Sequence, residues 1–572
     1  MFESFLPGKG RRQAKKNIGG EGSGRGGGSG QDKEAVKPGG RTDPEVGEPG
    51  EKNKAAWVRS GRELPSGPVS GDLADGLQAN ISALKNRFKN SADVIYREFT
   101  VRFGHNPKAV LIYIDGMVNQ ETTSGTILKP LMFDIEGRDY MPSSGLRGLA
   151  DMADVIANRA LPNKRVVEAK TLKEVVDGIL CGNTALLIDG SPTALVIETK
   201  GWESRNVDEP GTESIVRGPR EGFTENIGVN CSMLRRKIKD EDLRVESMEL
   251  GRRTKTSVYL AYIDGVASRE MVDEVKRRLN KIEIDGVLES GYIEQLIEDA
   301  PRSIFPTVGN TEKPDVVAAK LLEGRLAIFV DGTPFVLTVP HLFIEGFQSS
   351  EDYYSRPYYA TTVRLVRYLA FIIAVLLPAG YVALQSYNQD LLPTSLLISM
   401  VVSREGTPFP SYMEVIIMGV IFEIMREAGV RMPGAIGQAF SIVGALVLGE
   451  ASARAGLVSN SMIVVVALTA IGGFALTSLA DVIGLLRLFF IACAAPLGLF
   501  GILMGGLAVL IHMLKLYSFG VPYLLPVAPG NLNDLKDVFI RAPLGSQVLP
   551  PRILGHRNVA RTMSRRRPPG KD

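Results

Sequence analysis

The sequence predicts an α/β protein joined to a membrane: two related α/β subdomains in tandem, followed by an α-helical transmembrane domain of about four to six helices. Three observations predict it. Helical periodicity alternates with β-rich apolar runs from about Leu73 onward. An Asp-Gly ending after such a run recurs at Asp115, Asp189, Asp264 and Asp331. From Arg364 to Pro526, long apolar segments follow one another with few charges between them, which water-soluble cores do not show.

The 572 residues, 45% hydrophobic and with a formal net charge of +3, suffice for two or three soluble modules and a membrane block. So small a net charge argues against an obligate nucleic-acid partner. Cys181, Cys231 and Cys493 are scattered, so neither a disulfide framework nor a thiolate metal site is expected. Residues 1–70 are rich in Gly, Lys, Arg, Glu and Pro, with GGEGSGRGGGSG at 19–30. A segment of this kind buries too little apolar surface to offset its ordering entropy, and a disordered basic tail is expected. No apolar signal region precedes the basic cluster in MFESFLPGKGRRQAKK, so secretion of the amino-terminal part is not expected.

The first soluble subdomain is expected at 71–202. Leu73, Leu77, Ile81, Leu84 and Phe88 recur every three or four residues, as on one face of a helix. Val94–Val101 and Ala109–Asp115 then read as strands. A second subdomain is expected at 248–357, because VVDGILCGNTALLIDGSPTALVI at 175–197 resembles VVAAKLLEGRLAIFVDGTPFVLTV at 316–339. Asp115 is also about as far from Asp264 as Asp189 is from Asp331, as duplication of one unit requires. At Asp189 and Asp331, Gly-Ser-Pro and Gly-Thr-Pro lead into a further strand, so these carboxylates belong to turns. Asp115 and Asp264 open loops into helices, where aspartate caps. His105, His341, His512 and His556 lack metal-ligand spacing, and no phosphate-binding loop, dinucleotide fingerprint or nucleophile elbow is present. Neither catalysis nor a metal or cofactor is expected.

Between the subdomains, 203–247 reads as a polar connector. Its glycines and prolines argue against a long regular element, and Ile215, Val216 and Phe223 among mixed charges suggest a loop ordered by a partner. The transmembrane domain is expected at 358–545, with spans at Leu365–Leu384, Ile436–Ala453, Met462–Ile483 and Leu488–Met513. The core of the last, Ile491–Leu510, carries no ionisable residue and is long enough to cross a hydrocarbon layer of about 30 Å. Pro393, Glu414, Glu423, Arg426 and Glu427 interrupt 391–430, which reads as a re-entrant or interfacial pair, or else as two further spans. Either way the number of crossings is even. Arg356, Arg364 and Arg367 precede the first span, and Arg541 and the basic tail at 546–572 follow the last, so both ends are expected on the cytoplasmic side.

VRGPREGFTE at 216–225, FIEGFQSSEDYYSRP at 343–357, FEIMREAGVRMPGAIGQAFSIVGALVLGEA at 422–451 and FGVPYLLPVAP at 519–529 complete the reading. With them the chain resembles the A subunits of the GerA-type spore germinant receptors, from about residue 75 to 545. The resemblance implies a multi-pass protein of the spore inner membrane, in contact with its lipids, acting with a transporter-like B subunit and a C lipoprotein. It further implies a homo-oligomer, a pentameric ring that conducts ions during germination. A SpoVAF-type spore membrane protein and a non-conducting scaffold subunit are the alternatives. Candidate subunit-contact residues are Arg217, Gly218, Pro219, Arg220, Glu221, Gly222 and Phe223 in the connector, and Glu345, Gln348, Glu351, Asp352 and Tyr353 before the first span. Candidate pore-lining residues are Val443, Val447, Glu450 and Arg454, which share one helix face, so that valine rings would gate by dewetting and Glu450 would attract cations. A competing reading pairs Glu450 with Arg454 at a helix end. Glutamine is the commoner residue in the family where this chain has Glu450.

Overall fold

The computed structural model describes residues 71–89, 91–102, 106–134, 156, 165–201, 213, 215–431, 447–528, 530 and 537–543. The tails expected at 1–70 and 546–572 lie outside the described residues, as does Val443.

The first repeat opens with α1 (Leu77–Arg87), whose Leu77, Ile81 and Leu84 are buried together with Phe88. A hairpin follows, β1 (Val94–Thr100) on β2 (Lys108–Ile114), with Val94 opposite Ile114. Strand β3 (Val166–Ala169) leads into α2 (Leu172–Leu180), which starts with a Thr171/Glu174 capping box, and β4 (Thr184–Ile188) and β5 (Ala194–Ile197) close the sheet. The strand order is β1-β2-β4-β5-β3, and every neighbouring pair is antiparallel.

The second repeat copies this plan. It comprises α3 (Ile227–Lys237), β6 (Leu243–Leu250), β7 (Thr256–Ile263), α4 (Arg269–Leu279), α5 (Ser290–Ile297), β8 (Gly309–Thr311), α6 (Pro314–Leu322), β9 (Leu326–Val330) and β10 (Val336–Val339). Its order, β6-β7-β9-β10-β8, is that of the first sheet. The repeated Asp-Gly turns do the same work in both copies. Asp189 Oδ1 accepts from the Leu77 amide at 3.1 Å and Asp331 Oδ1 from the Ile227 amide at 3.3 Å, so each carboxylate caps the helix that opens its own repeat. Gly190 and Gly332 sit at φ of +82° and +88°, where a side chain would be strained.

Two expectations need correction. The stretch read as connector contains α3 and the start of β6, so the second repeat begins near residue 227. Asn230, Cys231 and Leu234 are buried, and Arg235 with them, because α3 is sandwiched between the repeats; cover on both sides blurs the amphipathic period that would have marked it. Asp115 and Asp264 do not cap the helical segments that follow. Asn119 accepts from the Thr122 amide at 2.8 Å in the first repeat, while Asp264 pairs with Lys89 across the repeat boundary.

The helical part comprises α7 (Pro357–Ser386), α8 (Thr394–Val402), α9 (Ser411–Arg431), a helical stretch at 447–454, α10 (Asn460–Phe474) and α11 (Ala480–Lys515). Two stretches, Pro357–Ser386 and Thr477–Lys515, are long and apolar enough to cross a membrane. The second is not straight. Gly498 breaks it at φ 60° and ψ −137°, a region essentially restricted to glycine. A Cβ on Gly501 would lie 2.0 Å from the Cys493 carbonyl oxygen, and one on Gly505 would lie 3.2 Å from Cys493 Sγ. Residues eight and twelve apart touch only if the chain doubles back, so α11 is a tight antiparallel hairpin with arms at 480–497 and 499–515. The expected span Ile491–Leu510 therefore holds a reversal at its centre, and Met462–Ile483 is broken at 475–479 between α10 and α11.

The ends of the helices define two sides. At the soluble side, Leu479 packs on Gly346, and Ser303 Oγ lies 2.9 Å from His512 Nε2. At the far side, Tyr381 meets Ser459 at 3.0 Å, Ser386 meets Ser411 at 2.6 Å, and the Tyr387 hydroxyl donates to the Ala495 carbonyl at 2.6 Å.

Candidate functional site

The FIEGFQSSEDYYSRP stretch connects the sheet of the second repeat to the first long helix, and its charges are used on the way. Arg364, in the second turn of α7, is fully buried. Its guanidinium donates to the Asp537 carbonyl at 2.6 Å, to Asp537 Oδ1 at 3.2 Å and to Asp352 Oδ2 at 3.2 Å. Arg367, one turn on, donates to Asp352 at 2.9 Å and to the Phe347 carbonyl at 3.2 Å. The Tyr353 hydroxyl donates to Asp537 Oδ2 at 2.6 Å, and Gln348 Nε2 to the Asp537 carbonyl at 3.0 Å. Burial, with Asp537 beside it, pushes the Tyr353 hydroxyl far above its ordinary range, so it remains a donor. A buried arginine, a half-buried one, two aspartates and a tyrosine thus tie the end of the second repeat, the start of α7 and the returning chain at 537–541 into one knot.

A second cluster lies just before it. Glu345 ion-pairs with Arg325 and with Lys320 at 3.0 Å, lies 3.3 Å from His341 Nδ1, and its carboxylate accepts from the Leu342 amide at 2.7 Å. Burial alone would raise this carboxyl, but the three basic neighbours hold it well below the usual carboxylate range.

The FGVPYLLPVAP stretch supplies the other connection. After the second arm of α11 it forms a small hairpin, β11 (Tyr517–Ser518) with β12 (Val521–Pro522). Phe519, Val521 and Leu525 enter the core of the second repeat, whereas Leu516 and Tyr523 belong to the core among the helices. Ser518 Oγ donates to the Thr307 carbonyl at 2.6 Å, the Phe519 amide donates to Asp299 at 2.6 Å, and the Arg278 guanidinium lies 4.3 Å from the Phe519 ring centre. Phe347 stacks on Tyr368 at 4.4 Å, and Phe343 meets Phe347, Phe371 and Tyr523 at 5.2–6.1 Å. The second repeat is therefore joined to α7 and to the end of α11 by packed rings and paired charges.

Among the helices, Glu414 is fully buried; its carboxylate accepts from the Ser459 amide and hydroxyl at 3.1 and 3.0 Å and faces Arg404 at 3.2 Å. Glu423 of α9 pairs with Arg426 at 2.8 Å and with Arg487 of α11 at 2.5 Å. Glu414, Glu423 and Arg426, which interrupt the apolar pattern of 391–430, are therefore all paired, as burial among apolar helices requires.

The connector candidates divide. Gly222 and Phe223 are buried, Phe223 against Phe329 edge-to-face at 5.5 Å. Glu221 pairs with Lys237 at 3.2 Å, and Gly218, at φ +145°, lies under the Tyr354 ring. Arg217 and Arg220 are exposed and Pro219 is half-buried. Glu345, Gln348, Asp352 and Tyr353 are engaged in the junction, where Glu351 opens the short helix Glu351–Tyr354. Of the pore candidates, Val447 is 55% exposed, and Arg454 donates to Glu450 at 2.6 Å on an exposed face. Arg364 and Asp537 were missed as partners, because an arginine before a span reads as a topological anchor and its aspartate lies 173 residues away.

The family model for the Bacillus/Clostridium GerA spore germination protein matches residues 82–553. Spore germination protein KA of Bacillus subtilis is 43% identical over 82% of this chain and 85% of its own length. The membrane protein YfkQ of Bacillus subtilis is 41% identical over 83% of this chain and 90% of its own, and GerLA of Bacillus cereus 37% over 82% and 94%. A crystal structure of the N-terminal domain of the A subunit of the Bacillus megaterium spore germinant receptor GerK3 is 36% identical, covering 48% of this chain and 99% of that one, with a TM-score of 0.39. With a family model matching from the first repeat through the helical part, the chain belongs to the GerA family of spore germination proteins.

Proposed function

We propose that the chain is the A subunit of a nutrient germinant receptor in the spore inner membrane, where copies of it form a ring, five to a ring by family resemblance, that conducts ions. It acts there with a transporter-like B subunit and a C lipoprotein, and has no catalytic role. The observation that carries this reading is the junction. A buried network joins a duplicated soluble unit to apolar helices at two separate points, near Arg364 and at the β11–β12 hairpin, so a change in how soluble units pack reaches the helices directly. The start of α7 and the end of α11 both lie on the soluble side, which supports an even number of crossings, and Arg356, Arg367 and Arg541 at those ends support the cytoplasmic face for that side.

The ion path is assigned to the face carrying Val443, Val447, Glu450 and Arg454. Exposure of Val447 on the single chain suits a lining position. The scaffold reading draws on the Glu450–Arg454 pair, whose 2.6 Å contact gives both charges an ordinary structural role. Potassium efflux from spores whose only A subunit carries Val447→Ala separates the two. The channel reading expects efflux without nutrient; efflux no faster than wild type at normal protein level sinks it for this helix.

A further inference from the structure

The two repeats match strand for strand, so a place used in one has a counterpart in the other. Asn183 stands just before β4 as Arg325 stands just before β9, and Val196 lies opposite Val167 as Thr338 lies opposite Gly309. Gly178 of α2 holds the position of Lys320 in α6, and Lys200 that of Leu342. In the second repeat this place holds a carboxylate. Glu345 sits against Arg325 and Lys320 and accepts from the Leu342 amide, while Lys320 donates on to Thr338 at 2.9 Å and Arg325 to the Pro340 carbonyl at 2.9 Å. In the first repeat the same place is a groove of about 180 Å³, lined by Arg165, Val167, Asn183, Val196, Glu198 and Lys200. It lies at the β3 edge of the sheet, the opposite edge from β1, beside which the repeats meet.

The groove stays polar but its charges are rearranged. Val196 and Gly178 stand where Thr338 and Lys320 bond, so those two donors are lost. Arg165 before β3 and Lys200 after β5 bring cations instead, both exposed and neither ion-paired among the described residues. Asn183 Oδ1 is buried and meets no donor. An amide oxygen withdrawn from water without a partner is unfavourable, so a molecule that supplies a donor there gains by binding. Two cations and a free acceptor in one groove match a carboxylate with a donor beside it. At about 180 Å³ the groove is smaller than the roughly 300–1,000 Å³ of pockets for drug-sized ligands, which limits the rest of the molecule to a few atoms. We propose that the first repeat binds a short hydroxy or amino acid here, its carboxylate on Arg165 and Lys200 and its hydroxyl or ammonium on Asn183 Oδ1. Glu198, which also lines the groove, favours the ammonium. All the lining residues belong to the first repeat, so the proposal stands apart from the channel reading.

The full chain in mild detergent is titrated with glycine, with glycolate, and with glycolamide as the uncharged counterpart, and binding is read by NMR as saturation transferred to the ligand protons. Glycine and glycolate are expected to bind saturably, glycine the tighter, and glycolamide at least about ten-fold more weakly. Arg165→Gln and Lys200→Gln change exposed side chains, and each is expected to weaken glycine about ten-fold, as loss of a hydrogen bond to a charged group does. Glu198→Gln is expected to bring glycine down to the level of glycolate. Val167→Glu supplies a carboxylate from the edge strand itself and is expected to abolish binding, as Glu345 fills the counterpart place. Equal binding of glycolamide, or undiminished glycine binding in both Arg165→Gln and Lys200→Gln, overturns the proposal. A short glutamate-containing peptide that binds where neither small acid does overturns it in favour of an acidic partner chain. Binding gained only in Glu203→Gln also overturns it, in favour of the chain's own carboxylate, because Glu203 follows Ile197 by six residues as Glu345 follows Val339.

Discussion

Arg364 carries the heaviest electrostatic demand in the junction. A guanidinium fully removed from water is tolerated only while its carboxylates and carbonyls remain in place. Asp352 serves Arg364 and Arg367 together, so Asp352→Asn leaves two cations short of one negative charge without changing side-chain volume. Loss of one partner from a buried pair costs about 3–5 kcal/mol. Tyr353→Phe removes a single hydrogen bond to Asp537 and is expected to cost about 1–3 kcal/mol, because that bond is to a charged group. In detergent, thermal unfolding of Asp352→Asn is therefore expected well below wild type, with Tyr353→Phe between them. An unshifted transition in Asp352→Asn would mean that the cluster is solvated and does not hold the junction.

At the scale of elements, the α11 hairpin separates what the sequence revealed from what it concealed. The duplication was legible because it is written twice, in paired segments and in four Asp-Gly endings, although the caps that Asp189 and Asp331 make on Leu77 and Ile227 lie more than 100 residues away and were not. The apolar run 491–510 was legible as lipid-compatible, yet hydropathy reports the medium and carries no direction. A reversal built from Pro496, Leu497 and Gly498 contains no polar side chain of its own, its backbone being met by Tyr387 and Asn388 from far along the chain, so it leaves the apolar average untouched. Gly501 and Gly505 are sites of close helix contact, and the contacting helix is the preceding arm of the same hairpin. The hairpin makes a sharp prediction. Gly505→Cys places a second thiol beside Cys493, and mild oxidation of the full chain is expected to form an intrachain disulfide, seen as protection of both thiols from alkylation. In a straight helix, positions 493 and 505 would be about 18 Å apart and no such bond would form. Free thiols after oxidation would restore the single long span.

At the scale of the whole molecule, the two repeats are alike in topology but unequal in position. The second is bonded to α7 and to the β11–β12 hairpin, while the first meets the second through Asp93, which holds Arg235 of α3 at 2.6 Å, and through the Ala92 amide on the Val245 carbonyl at 2.9 Å. The Arg235–Asp93 pair is buried on both sides, so the interface between the repeats includes a desolvated ion pair that parting them would break. The proposed topology puts the soluble part on one side of the bilayer and the loops near Gln389 and Gly406 on the other. A reporter cysteine at Gln389, in a chain with Cys181→Ala, is expected to react with a membrane-impermeant maleimide in intact sporulating cells after release of the inner membrane. A cysteine at Arg302, labelled in parallel, is expected to react only after permeabilisation. The opposite pattern would turn the soluble repeats outward, expose them to nutrient directly, and end the case that they act from the cytoplasmic face. Labelling of both sites from outside would remove the helices from the bilayer, and with them the channel reading.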